Sequence, residues 1–286
     1  MRRLFALALV ASIGVLAGLA VVRAMPEFDP RWHSLDVSRD ASVADRLARS
    51  ERAPLLFVPD SVSRDQGAPA TLVVALPGLG GIGREIASEF AAAAETHRWL
   101  LVAPSPSYDP LRGESLESAD LRVDDELVAL IDTALARSPA TVATRIALVG
   151  FSRGAQSAHR FALRHPERVA WLASFSAGTY TMPTSQSPYP YGVGFFESWD
   201  HGHAFDPVAL RAVHVLIGVG ALDENPADVV RGWDGVGGTS RVERAARFTR
   251  ALRELSVPVR FQLYASVRHM FVPAMREDAI ALFIGS

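Results

Sequence analysis

Gly150-Phe151-Ser152-Arg153-Gly154 stands between an apolar run over 145–149 and an amphipathic run that begins at Ala155. The first reads as a buried strand and the second as a helix. A serine on the sharp turn between them projects its hydroxyl from the end of the sheet. The flanking glycines let neighbouring backbone approach without a Cβ clash. Strand, turn and helix in this order make Ser152 a candidate nucleophile and predict a βαβ architecture around it.

The rest of the chain carries the same rhythm. Short apolar runs predict strands over 55–58, 71–76, 99–103, 145–149, 171–175, 214–219 and 259–264. Amphipathic runs predict helices over 84–97, 119–137, 155–165, 241–255 and 277–284. Several strands are apolar almost throughout, as strands covered on both faces are. The fold class expected is α/β: one doubly wound, mostly parallel sheet in a single domain over 55–286. Two stretches are irregular. Residues 176–207 form an aromatic-rich insertion holding Tyr180, Tyr189, Tyr191, Phe195, Phe196, Trp199 and Phe205, and 225–240 are rich in Gly and Asp.

A serine hydroxyl is a weak nucleophile at neutral pH and needs a base held by a third group. In folds of this kind the chain order is Ser, acid, His. Asp223 follows the strand over 214–219, and His269 follows the last strand. Both sit just past strand ends, where such sheets build their sites. Glu224 and Asp228 lie near enough to compete for the acid's place. His159 and His165 fall on the helix after Ser152 and read as packing or surface residues. A tetrahedral intermediate also needs backbone donors. The N–H of Arg153 is one candidate; the N–H of Leu79, in the loop Pro77-Gly78-Leu79-Gly80-Gly81, is the other. Gly78, Gly80 and Gly83 in that loop also spell a dinucleotide fingerprint. That motif wants an acid about 20 residues on, and the next strand ends in Ala103-Pro104-Ser105.

Taken together, Leu76-Pro77-Gly78-Leu79-Gly80, Gly150-Phe151-Ser152-Arg153-Gly154, Asp223 and His269 resemble the α/β-hydrolase superfamily over roughly Leu55 to the C-terminus. Within it the chain is similar to carboxylesterases related to acyl-protein thioesterases and to secreted depolymerase-like or feruloyl-esterase-like hydrolases. The resemblance implies Ser152 as nucleophile, Asp223 and His269 as its partners, and Leu79 and Arg153 as oxyanion donors. Pro77 departs from the pattern, standing where many relatives carry His. Having no N–H of its own, it puts the loop's hydrogen bonding, and so Leu79, in question.

Composition narrows the chemistry further. The net charge is −2, which gives no basic surface for nucleic acid. There is no Cys, so thiol nucleophiles and disulfide scaffolds are excluded. All 29 basic residues are Arg, which excludes a Ser–Lys dyad and a Schiff base. Residues 1–24 read as a signal peptide or an N-terminal membrane anchor. Arg2 and Arg3 precede an uncharged apolar run over 4–22, longer than the ~7–15 of a signal core and close to the ~20 of a membrane span. Either way the domain is expected outside the cytoplasm. Residues 25–54 read as a linker. Asp200, His201, His203 and Asp206 could suggest a metal, but they read better as a polar loop, so no metal or cofactor is expected. The expected function is hydrolysis of small carboxylic esters through a Ser–Asp–His triad and an acyl-enzyme. Neutral aryl esters should fit beneath the aromatic insertion. The alternatives are an exported binding protein without catalysis, or a lipase, peptidase or polyester depolymerase with the same triad.

Overall fold

A computed structural model describes residues 29–35, 52–65, 67–110, 113–194 and 204–285. The 1–24 segment, most of 25–54, and Phe195, Phe196, Trp199, Asp200, His201 and His203 lie outside them. The strands are β1 (Trp32–Ser34), β2 (Leu55–Phe57), β3 (Thr71–Leu76), β4 (Trp99–Ala103), β5 (Ile146–Phe151), β6 (Val169–Phe175), β7 (His214–Gly220) and β8 (Val259–Tyr264). They form one sheet in the order β1-β2-β4-β3-β5-β6-β7-β8. β2 runs antiparallel to β1 and to β4, and every other pairing is parallel. The helices are α1 (Asp60–Arg64), α2 (Gly83–Ser88), α3 (Ala91–His97), α4 (Leu116–Arg137), α5 (Arg153–Arg164), α6 (Pro207–Leu210), α7 (Asp234–Gly237), α8 (Arg241–Glu254) and α9 (Pro273–Phe283).

Alternation along the strands builds a core on each face. In β3, Leu72, Val74 and Leu76 join one core with Val123 of α4, Phe161 of α5 and Phe248 of α8. Val73 and Ala75 point the other way, into a second core with Phe90, Met275 and Phe283. Each fully buried aliphatic or aromatic side chain contributes about 1.5–3 kcal/mol. The sheet's C-terminal edge is therefore a rigid platform.

The fold is the expected single doubly wound α/β domain, with local differences. The 25–54 segment, expected as a linker, contributes edge strand β1. Trp32 is buried there, its ring 5.0 Å from that of Phe57. Three residues are too few to show strand alternation in sequence. The helix expected over 84–97 is two helices. It breaks where buried Phe90 turns into the core and its N–H bonds Ala87 O at 3.0 Å. α4 begins before residue 119 because Ser115 caps it, its Oγ accepting from Ser118 N–H at 3.1 Å. α9 begins at Pro273, which suits a first helical position.

His159, inside α5, ties the sheet's central helix to the chain after β6. Its Nδ1–H donates to Ala155 O at 2.9 Å and its Nε2 accepts from Thr181 N–H at 3.0 Å. Acceptance at Nε2 demands the neutral ring, and donation at Nδ1 fixes its tautomer. Burial, with the nearby Arg160 charge, pushes its pKa down from 6.5 to about 3. Between those values the unfolded chain binds a proton that the folded one refuses. Stability from this residue is therefore complete above about pH 6.5 and drains as pH falls, by about 1.4 kcal/mol per unit. Urea unfolding of the wild type and of His159→Gln, compared at neutral and mildly acidic pH, should show a shallower acid loss in the variant. Equal pH slopes would contradict this assignment.

Candidate active site

The turn after β5 holds Ser152 at φ 54° and ψ −116°, a conformation that a residue with a Cβ rarely adopts. Its N–H donates to Phe175 O at 2.9 Å, which pins the turn to the end of β6. α5 follows at once and packs on the end of β3. A Cβ at Gly154 would stand 2.3 Å from Leu76 O, so only glycine permits that approach. The Gly-x-Ser-x-Gly spacing thus has a steric cause on its C-terminal side.

β7 and β8 lie side by side, and their loops deliver the acid and the base. Leu222 N–H bonds Val267 O at 2.9 Å, joining the two loops. A Cβ at Gly220 would sit 2.4 Å from that same Val267 O, so the loops can meet only over a glycine. The structure brings Ser152, His269 and Asp223 together there. His269 Nε2 lies 2.9 Å from Ser152 Oγ, and Nδ1 lies 2.8 Å from Asp223 Oδ2. The ionised carboxylate accepts from Nδ1–H, which leaves Nε2 to accept from the serine hydroxyl. The ring of Phe151 lies 4.9 Å from that of His269 and limits its tilt. Glu224 and Asp228 are exposed and make no contact of this kind.

Asp223 is 3% exposed. Burial works against its charge, but the hydrogen bond from His269 and the Arg241 guanidinium outweigh it and hold the carboxyl below its usual range. Arg241 Nη1 donates to Asp223 Oδ1 at 3.0 Å, and its Nη2 donates to Asp228 O at 2.8 Å. No spacing rule in the sequence pointed to Arg241, which opens α8 just past the Gly- and Asp-rich region.

The loop after β3 comes against the turn. A Cβ at Gly78 would sit 3.4 Å from Ser152 Cβ. Pro77, the departure noted in sequence, contributes its carbonyl instead of an N–H: buried Tyr108 donates its hydroxyl to Pro77 O at 2.9 Å. Burial pushes the Tyr108 hydroxyl well above its ordinary pKa, so it stays a donor. Leu79 and Arg153, the expected oxyanion donors, share with Ser152 the wall of a cavity of about 300 Å³.

That cavity is not roofed by the described aromatics of the 176–207 insertion. Tyr180 stacks on Phe248 at 4.6 Å, Tyr189 donates to Asp120 Oδ2 at 2.9 Å, and Phe205 packs against the core. Tyr191 backs Trp233, their rings 4.5 Å apart, and Trp233 itself lines the cavity. The remaining wall includes Arg153, Gln156, Arg160 and Thr179, a polar floor the sequence did not foretell. Of the polar cluster considered for a metal, Asp206 caps α6, accepting from Val208 and Ala209 N–H at 2.8 and 2.9 Å. No metal-ligating cluster occurs among the described residues, and none of their helices is long and apolar enough to cross a membrane.

Comparison with known proteins agrees with the esterase family and with the fold. The family model described as "Putative esterase" matches residues 114–276. No curated relative matches the chain. Solved structures of similar fold include LpqC, a poly(3-hydroxybutyrate) depolymerase from Bordetella parapertussis. It is 20% identical, with 85% of this chain and 87% of that one covered and a TM-score of 0.59. A ferulic acid esterase is 15% identical, with 81% and 89% covered and a TM-score of 0.53. An S-formylglutathione hydrolase from Agrobacterium tumefaciens is 16% identical, with 81% and 87% covered and a TM-score of 0.52.

Proposed function

Because this chain belongs to the esterase family of carboxylic ester hydrolases, we propose that it cleaves its substrate through an acyl-enzyme formed on Ser152. The observation that carries the proposal is the unbroken line Ser152 Oγ, His269 Nε2, His269 Nδ1, Asp223 Oδ2, with contacts of 2.9 and 2.8 Å.

Ser152 Oγ attacks the ester carbonyl while His269 Nε2 takes its proton. Asp223 holds the ring in the tautomer that can accept and stabilises the imidazolium that forms. The negative charge moves to the former carbonyl oxygen. The N–H groups of Arg153, at the head of α5, and Leu79 face that oxygen in this mechanism. Tyr108, through Pro77 O, holds the loop that carries Leu79. His269 then returns the proton to the departing alcohol oxygen. A water molecule, deprotonated by His269, releases the acid and restores Ser152. The cycle consumes only ester and water. The strain at Ser152 also favours catalysis over a binding role without chemistry, since a merely structural turn would be more stable with glycine at that φ.

The proposal is tested before the steady state. A para-nitrophenyl ester of a short acid should release a burst of nitrophenol stoichiometric with enzyme, and acid quenching should trap the acyl group on the peptide containing Ser152. Turnover without an acylated peptide under conditions of saturating ester and slowed deacylation would overturn the acyl-enzyme.

A further inference from the structure

The floor of the cavity beside Ser152 carries more cation than anion. Arg153 Nη2 donates to Asp120 Oδ1, and Arg160 Nη1 donates to Asp120 Oδ2, each at 2.6 Å. The side chains of Arg153, Arg160 and Asp120 are 15%, 5% and 7% exposed. Their other partners among the described residues are neutral. Arg153 Nη1 donates to Gln156 Oε1 at 3.0 Å, and its guanidinium lies 5.5 Å from the centre of the Tyr108 ring. Arg160 donates to Thr181 Oγ1 and to Thr179 Oγ1, both at 3.1 Å. Tyr189 donates a further hydrogen bond to Asp120, at 2.9 Å. One carboxylate thus serves two guanidinium groups.

An uncompensated charge in so dry a setting is costly, and its cost falls when an anion joins it. The open side of the cluster is the cavity of about 300 Å³ that also reaches Ser152. The wall's third arginine, Arg241, already faces Asp223. Asp109 and Asp228 line the same cavity, but both are exposed, where water and salt weaken their field. Arg153 directly follows the nucleophile and lines the same cavity, so an anion on its guanidinium shares that cavity with the ester attacked by Ser152. A guanidinium fork suits a carboxylate better than any neutral acceptor does.

We propose that this cavity is a carboxylate subsite, and that the enzyme prefers esters bearing a carboxylate on the acyl chain or the leaving alcohol. The inference rests on Ser152 being the nucleophile of the reaction proposed above. It replaces the sequence-based expectation of a neutral aryl substrate beneath an aromatic roof.

Two pairs of esters test it through kcat/KM, each value normalised to uncatalysed hydrolysis. The acyl arm compares the para-nitrophenyl half-ester of adipic acid with its methyl-capped diester, following nitrophenol. The alcohol arm compares the butyrate esters of para-hydroxybenzoic acid and of its methyl ester. The free acid should win by about tenfold or more in one arm, which identifies the side that occupies the cavity. Added salt should shrink that ratio. Arg153→Gln leaves Arg160 and Asp120 as a balanced pair and should bring the ratio close to one. Should that variant fail to fold, the wild-type ratio and its salt dependence decide the matter. Capped esters cleaved at least as well as the free acids in both arms would overturn the subsite alone, as would a preference that survives in folded Arg153→Gln. Cleavage of no ester of the four would overturn the esterase chemistry of the site and this inference with it.

Discussion

With Ser152 replaced by alanine, kcat for a para-nitrophenyl ester is expected to fall by about five to six orders of magnitude. The nucleophilic oxygen is removed, and the residual rate is what the oxyanion donors and substrate positioning give to direct attack by water. Folding should be unaffected. Alanine has the same Cβ in the same strained turn, and the N–H that bonds Phe175 O is retained. The melting temperature should therefore match the wild type while the activity vanishes. A variant that keeps more than about a hundredth of the activity would point to another nucleophile.

The second large effect divides the base from the acid. His269→Ala removes the proton acceptor and should cost about as much in kcat as Ser152→Ala. Asp223→Asn should cost about 10⁴, because an amide facing Nδ1 favours the wrong tautomer yet leaves an imidazole in place. KM should move little in either variant, since both residues act on the chemical step. Asp223→Asn should also melt at a lower temperature, because it strips the buried Arg241 guanidinium of its counter-charge. Kinetics must therefore be read on the folded fraction. Glu224→Gln is the control: the side chain is exposed, and activity should stay close to wild type. A severe Glu224→Gln beside a mild Asp223→Asn would move the acid to the neighbouring residue.

How far the sequence could be read depended on the range of the interactions. β3 and β5 announced themselves because strands buried on both faces are written as unbroken apolar runs. Ser152, Asp223 and His269 stood out because a parallel sheet places strand ends on one edge, and each residue follows a strand end. The turn at Ser152 was legible for a steric reason, since Gly154 must pass close to Leu76 O. β1 was not legible, because its three residues gain their meaning only from pairing with β2. The break between α2 and α3 is set by where Phe90 can reach the core, which periodicity does not encode. The polar floor of the cavity was hidden for another reason. Asp120 meets Arg153 and Arg160 across 33 and 40 residues of chain, so no local spacing connects them. Tyr189 shows how composition can mislead. It stood out as an aromatic wall in sequence, yet its hydroxyl serves Asp120 and its ring lies within 6 Å of the Arg160 and Arg164 guanidinium groups.

The central claim is that Ser152 is an activated nucleophile, and one measurement addresses it without knowledge of the natural ester. A fluorophosphonate probe reacts with a serine whose proton a neighbouring base can take, and it leaves a stable adduct. The purified protein should take up one probe per chain, and peptide mass spectrometry should find it on Ser152. Uptake should be lost in Ser152→Ala and slowed strongly in His269→Ala. An adduct on any other residue, or no adduct in a folded protein, would contradict the account.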